Sequence, residues 1–154
     1  MEKVGGQTTK FLDPPQIMAA TSIVSSKEQK GPLGEYFEGV LPGPYNKQTT
    51  WDQAQMKLSQ EAIEKVLQKA NKSKSEIDCL LGGDLLNQIV ASNFAARKFP
   101  IPFLGLFGAC STIIEGLALG SMLVEGGAVG QVVPFTSSHY QATERQFRTP
   151  NEYG

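Results

Sequence analysis

The sequence predicts an α/β fold built on a parallel sheet, and three observations predict it. Beyond residue 50, stretches of helical and extended character alternate in the order α-β-α-β-α-β, the pattern of strand and crossover helix. Gly and Pro punctuate the apolar stretches, which marks turns between short elements. Hydrophobic residues make up 40% of the 154, an ordinary globular share for one domain with a real core.

The elements follow in order. "IMAATSIVSS" (17–26) is apolar and β-branched and reads as a strand. "KGPLGEYFEGVLPGPYN" (30–46) is dense in Gly and Pro and reads as a long loop. Thr50 and Gln53 then form the S/T-x-x-E/Q capping box of a helix. Leu58, Ala62, Val66 and Ala70 recur at i+4, with Ile63 and Leu67 beside them, so this helix faces a sheet. Lys65, Lys69, Lys72 and Lys74 read as its solvated face and end. "EIDCLLGGDLLNQ" gives a short strand (77–81), a glycine turn and Asp84 just beyond. "LLNQIVASNFAARKF" is a second helix, with Arg97 and Lys98 where the dipole favours cations. "PIPFLGLFGA" is a strand (102–108) that feeds a helix over 111–124. Glu115 is that helix's single charged side chain. A helix apolar nearly all round needs cover on most sides, and nothing else in the chain supplies a second layer. Gly126 and Gly127 close it. "QVVPFTSSH" is the last strand (131–137), with Pro134 placing it at an edge or bulge.

A formal net charge of −1 gives no electrostatic reason to expect nucleic acid or an anionic membrane. There is no signal-peptide pattern, and no apolar run reaches the roughly 18 residues of a membrane span. Two cysteines without a secretory signal predict free thiols in a reducing compartment, hence a cytosolic protein. One histidine and two distant cysteines make no zinc site. Walker, G-x-G-x-x-G and G-x-S-x-G motifs are all missing from the sequence.

Ligands in open α/β sheets bind beyond the carboxyl ends of the strands, and three sets of groups fall there: Asp84, Cys110, and Ser138 with His139. At a helix start Cys110 could act as a nucleophile. It could equally line an anion pocket with the N–H groups of Ser111 and Thr112 as donors, or be a small buried hydrophobe. Cys79, inside an apolar strand, reads as core. His139 is the chain's sole imidazole and otherwise a loop residue bonded to backbone. Asp84 could hold a ligand or cap the next helix. Arg145 and Arg148 offer forked donors to a carboxylate, or pair with Glu144 and Glu152.

"FGACSTIIEGLALGSMLVEGG" (107–127), followed by "TSSHYQATERQFRTPNEYG" (136–154), resembles the stage V sporulation protein AD family of spore-forming bacteria. "LLGGDLLNQIVASNFAARKFPIPFLGLFGAC" (80–110) and "GPLGEYFEGVLPG" (31–43) fit the same family. The resemblance implies a thiolase-like fold, in which two βαβαβαββ halves with mixed, mostly parallel sheets pack face to face. Residues 1–154 would be the N-terminal half of chains about twice as long. It places Cys110 where thiolases and ketoacyl synthases hold their nucleophile, and it makes the apolar helix the one sandwiched between halves.

The implied function is binding of dipicolinic acid, pyridine-2,6-dicarboxylate, in support of its uptake into the developing spore. The protein would be a soluble component beside other stage V sporulation protein A subunits at the forespore inner membrane. Asp84, Cys110, Ser111, Ser138, His139 and Arg145 carry over to the ligand pocket, with no resident metal or cofactor. Calcium would enter with the chelating ligand, and a homodimer is expected. The alternative is a Cys110-dependent acyltransferase resembling ketoacyl synthase III. Such enzymes draw their catalytic histidine from the second half, which His139 does not replace. A third reading makes the 30–46 loop and the 132–136 strand an assembly surface.

Overall fold

The computed structural model describes residues 1–43, 45–85 and 89–140. Glycine and proline leave the first fifty residues little regular structure. A small antiparallel pair, β1 (Glu2–Lys3) and β2 (Thr9–Lys10), is followed by β3 (Ile23–Ser25) and β4 (Gly39–Leu41), which pair in parallel. The strand expected over 17–26 is therefore shorter. Its ladder ends where β4 ends, and Ile17 and Met18 stay exposed. The loop expected over 30–46 contains β4 and a 3-10 turn at Gly34–Tyr36.

Helix α1 (Trp51–Lys69) starts at Thr50, whose Oγ1 accepts the Gln53 N–H at 3.2 Å. The return bond of the box comes one residue early: Gln53 Oε1 accepts from Thr49 N and Oγ1. The buried face is Ala54, Gln55, Ser59, Gln60, Ile63 and Leu67. The line through Leu58, Ala62 and Val66 is only half-buried, which corrects the expected face. Its buried stripe runs Gln55–Ser59–Ile63–Leu67, and the first two are polar. The lysines are more than a solvated face. Lys65 donates to the Glu38 carbonyl and Lys69 to the Ala20 carbonyl and the Glu38 carboxylate. Lys72 pairs with Glu76 at 2.9 Å.

Strand β5 (Cys79–Asp84), helix α2 (Val90–Ala96), strand β6 (Phe103–Gly105), helix α3 (Thr112–Glu125) and strand β7 (Val132–Ser137) complete the alternation. The sheet order is β6-β5-β7, all parallel. The expected α/β class with a parallel sheet is what forms, and Pro134 lies on an edge strand. β5 runs three residues beyond the expected 77–81, straight through the glycine pair. A Cβ on Gly82 would lie 2.4 Å from the Phe135 ring, and one on Gly83 2.2 Å from the Leu106 carbonyl oxygen. These glycines are spacers inside the strand, and no turn forms there. α2 is shorter than expected because Ile89, just before it, has φ +67°. β6 is shorter too, ending at Gly105.

Alternation along β5 separates two cores. Leu80 packs with Ile63, Leu67, Ala96, Val133 and Phe135 on the face covered by α1 and α2. Cys79 and Leu81 pack with Leu106, Leu123 and Val132 on the α3 face. The connections through α2 and α3 thus lie on opposite faces of the sheet.

α3 meets the sheet through glycines. A Cβ on Gly116 would come within 3.1 Å of Pro134, and one on Gly120 within 2.8 Å of Val132. Leu123 packs inward, but three other large apolar side chains point away: Ile114 is 65% exposed, and Leu119 and Met122 are 39% exposed. The chain leaves this helix half uncovered, as expected of a layer that needs another. It ends in a Schellman motif, with Gly127 at φ +72°, its N–H on Val124 O, and the Ala128 N–H on Leu123 O.

Candidate functional site

The C-terminal edge of the sheet is built by polar residues from four elements. Asp84 ends β5 and pairs in register with Ser137, the last residue of β7. It is buried, and its Oδ2 accepts the Ser92 N–H and the Ser92 hydroxyl, both at 2.8 Å. Ile89 supplies no capping side chain to α2, so Asp84 does this across the strand–helix connection. These two bonds to Ser92 are a capping of α2, one of the two readings of Asp84.

On the neighbouring strand, the Gln55 amide donates to both the carbonyl and the hydroxyl oxygen of Ser137, each at 3.2 Å. One turn earlier on α1, the Trp51 ring stacks on His139 with centroids 6.4 Å apart and planes at 22°. Tyr45 stacks on the same indole at 6.1 Å. His139 is half-buried and Ser138 exposed.

Cys110 reaches this edge from the other face. Thr112 lies beside Gly83 near the end of β5, while Gly120 lies beside Val132 at the start of β7. α3 therefore runs against the strands, and its N-terminus opens at their carboxyl ends. Cys110 sits in the 3-10 turn Ala109–Ser111 with an exposed, free thiol. Ala109 before it holds φ +46°, a left-handed conformation that costs a non-glycine residue about 1 kcal/mol. Cys79 is buried, and that burial pushes its thiol up from the usual 9.0.

The anion-pocket reading needs correcting at its donors. The Ser111 N–H bonds the Gly108 carbonyl at 2.9 Å, and the Thr112 N–H bonds that of Ala109. The Ser111 hydroxyl also bonds Gly108 O, at 2.8 Å. The turn consumes the very groups expected to face an anion, and the Glu115 carboxylate folds back against Gly108. Attraction for an anion at this edge must come from side chains. Arg145 and Arg148 lie outside the described residues.

The structure thus brings Asp84, Ser138 and His139 to one edge, with Cys110 and Ser111 entering it at the start of α3. Sequence reasoning missed Trp51, Gln55, Ser92 and Ser137. A signal for two of them was present: Trp51 and Gln55 extend the Ser59–Ile63–Leu67 line backward at i+4. Among the described residues no group of three His, Cys, Asp or Glu side chains could hold a metal ion, and no helix is long and apolar enough to cross a membrane. A cleft of about 300 Å³ between β3–β4 and α1 contains none of these residues.

The sequence model of the family described as Stage V sporulation protein AD (SpoVAD) matches residues 5–154. The Stage V sporulation protein AD of Bacillus subtilis (strain 168) is 44% identical over 154 residues, which is 100% of this chain and 46% of that relative. The chain spans about half the length of the curated relative it matches.

Proposed function

The chain belongs to the stage V sporulation protein AD family, and on that premise we propose that it serves in sporulation by binding dipicolinic acid for uptake into the developing spore. The single observation that carries the reading beyond the family is the convergence at the C-terminal edge of the sheet. An exposed thiol precedes α3 at that edge, and an exposed serine and a half-buried imidazole follow the end of β7. Edge groups of this kind suit a flat dicarboxylate: imidazole and hydroxyl donors meet the carboxylates, and Trp51 and Tyr45 provide aromatic surface nearby. Arg145 belongs to the proposed pocket, and calcium enters only as the ligand's companion. The soluble protein would work beside other stage V sporulation protein A subunits at the forespore inner membrane.

We assign the cover of α3 to a second half of the full-length protein. The length of the relative supports this, as does the outward apolar row Ile114, Leu119 and Met122. Calorimetric titration of the full-length protein with dipicolinic acid tests the function. Cys110→Ala and His139→Ala are each expected to weaken binding about tenfold, near 1.4 kcal/mol. Equal affinity in both variants removes the site, and no binding by the parent removes the function.

A second reading, acyl transfer on Cys110, is favoured by the exposed thiol on a left-handed Ala109 turn. Intact-mass measurement after incubation with acyl-CoA donors decides it: an adduct lost in Cys110→Ala supports transfer, and no adduct rejects it.

A further inference from the structure

We propose that residues 1–13 form a strap with a single lock, the Glu125 carboxylate at the carboxyl end of α3, and that the strap opens as a unit while the rest of the fold stays closed. The strap begins with the antiparallel pair β1–β2, in register Glu2 with Lys10 and Lys3 with Thr9. The Val4 N–H bonds the Thr8 carbonyl at 2.9 Å, and Gly5 turns the chain at φ +82°. That turn brings both ends of the hairpin to one atom. Glu125 Oε1 accepts from the Met1 ammonium group at 2.8 Å and from the Leu12 N–H at 2.7 Å.

Two features make this carboxylate a lock rather than one contact among many. Glu125 is the last residue of α3, where the helix dipole disfavours negative charge, and its side chain is only 7% exposed. A carboxylate so placed needs partners. The Met1 ammonium, then the N–H groups of Leu12 and Asp13, supply them and hold its carboxyl below the usual range. The strap depends on the carboxylate just as strongly. Residues 1–10 are all exposed and Leu12 is 67% exposed, so docking buries little apolar surface. A ladder of two residue pairs is not stable by itself in water. Among the described residues, every hydrogen bond from residues 1–13 to the rest of the chain ends on Glu125. Helix end and hairpin therefore support each other, and release of one group frees the whole segment. Pro14 and Pro15 follow it, and their fixed φ makes a stiff junction that stops the opening short of β3. A segment with so few buried contacts opens locally, at far lower free energy than the fold as a whole.

Trypsin digestion and hydrogen exchange on the full-length protein test this. Lys10 lies in β2, and cleavage after it reports how often the strap is open. Glu125→Gln, which keeps the shape and removes the charge, is expected to release the 1–10 peptide about tenfold faster, with amide exchange in β5 unchanged. Gly5→Val strains the strap from its other end, because a β-branched residue at positive φ is unfavourable. It leaves α3 untouched, since no atom lies within 4 Å of a Cβ there. This variant too should be cut about tenfold faster. Unchanged cleavage in either variant overturns the proposal. Faster exchange in β5 of Glu125→Gln also overturns it, because the carboxylate would then be holding the fold rather than the strap.

Discussion

Asp84 and Cys110 stand at the same edge of the sheet in opposite conditions. Asp84 is buried and engaged with Ser92. Asp84→Ala leaves the start of α2 without its acceptor and is expected to cost about 2–3 kcal/mol, read by urea unfolding. Asp84→Asn keeps one acceptor oxygen and should cost less. For the cysteines the expectation is selective chemistry. A maleimide at neutral pH should label Cys110 and leave Cys79 untouched until the chain unfolds, because Cys79 is buried and its thiol is held up. Labelling of Cys79 in the native state would contradict the packing of β5.

Carboxylates set the acid response. The Ser73 N–H, with Lys72 beside it, lowers Glu76 from 4.5 to about 2. Lys69 lowers Glu38, and the Gln131 and Gly130 N–H groups lower Asp78. A carboxyl whose folded pKa lies below its unfolded one stabilises the fold above the unfolded value and loses that contribution as pH falls through the folded one. The Glu76 contribution should therefore vanish between pH 4.5 and about 2. Thermal unfolding recorded across that window should show a falling midpoint, with a shallower fall in Glu76→Gln. An identical slope in the variant would show that Glu76 is not engaged.

At the scale of elements, close approach decides what the strands and helices tolerate. Gly83→Ala forces a Cβ to within 2.2 Å of a backbone oxygen, which no rotamer relieves. We expect a loss of about 3 kcal/mol or more in chemical unfolding. Gly120→Ala meets the Val132 side chain at 2.8 Å, which can move, so about 1–2 kcal/mol is expected.

The same elements show what the sequence made legible. The alternation of α and β, the Thr50 cap, the α3 limits and the Gly126–Gly127 stop follow from period and turn chemistry, which are local. The extent of β5 was hidden because a glycine pair normally signals a turn. Only the Phe135 ring and the Leu106 carbonyl, brought in by neighbouring strands, explain why glycine is needed there. The buried face of α1 was misread for a related reason. Gln55 and Ser59 are polar: Gln55 bonds Ser137 on a strand more than eighty residues away, and Ser59 bonds the Gln55 carbonyl one turn back. The placement of Asp84, Cys110, Ser138 and His139 at or just beyond the carboxyl ends of the strands was legible from the order of elements. The spending of the Ser111 and Thr112 N–H groups inside a 3-10 turn was not, because it depends on the left-handed φ of Ala109.

At the scale of the whole molecule, Phe107 (69%), Ile114 (65%) and Leu104 (51%) are exposed, with Leu119 and Met122 further along α3. Soluble proteins seldom leave large side chains like these together in water. The 154-residue chain on its own should self-associate, and light scattering should show the association reduced by Ile114→Asp. If a second half covers α3 as proposed, the same substitution in the longer protein should instead destabilise the fold, because the new charge would have to be buried. The account's central claim is that the C-terminal edge of this sheet, between α1 and the start of α3, receives a planar dicarboxylate. A crystal structure of the full-length protein soaked with dipicolinic acid tests it most directly. The account predicts ligand density at that edge, within hydrogen-bonding reach of His139 and beside Cys110; density elsewhere, with this edge empty at saturating ligand, would contradict it.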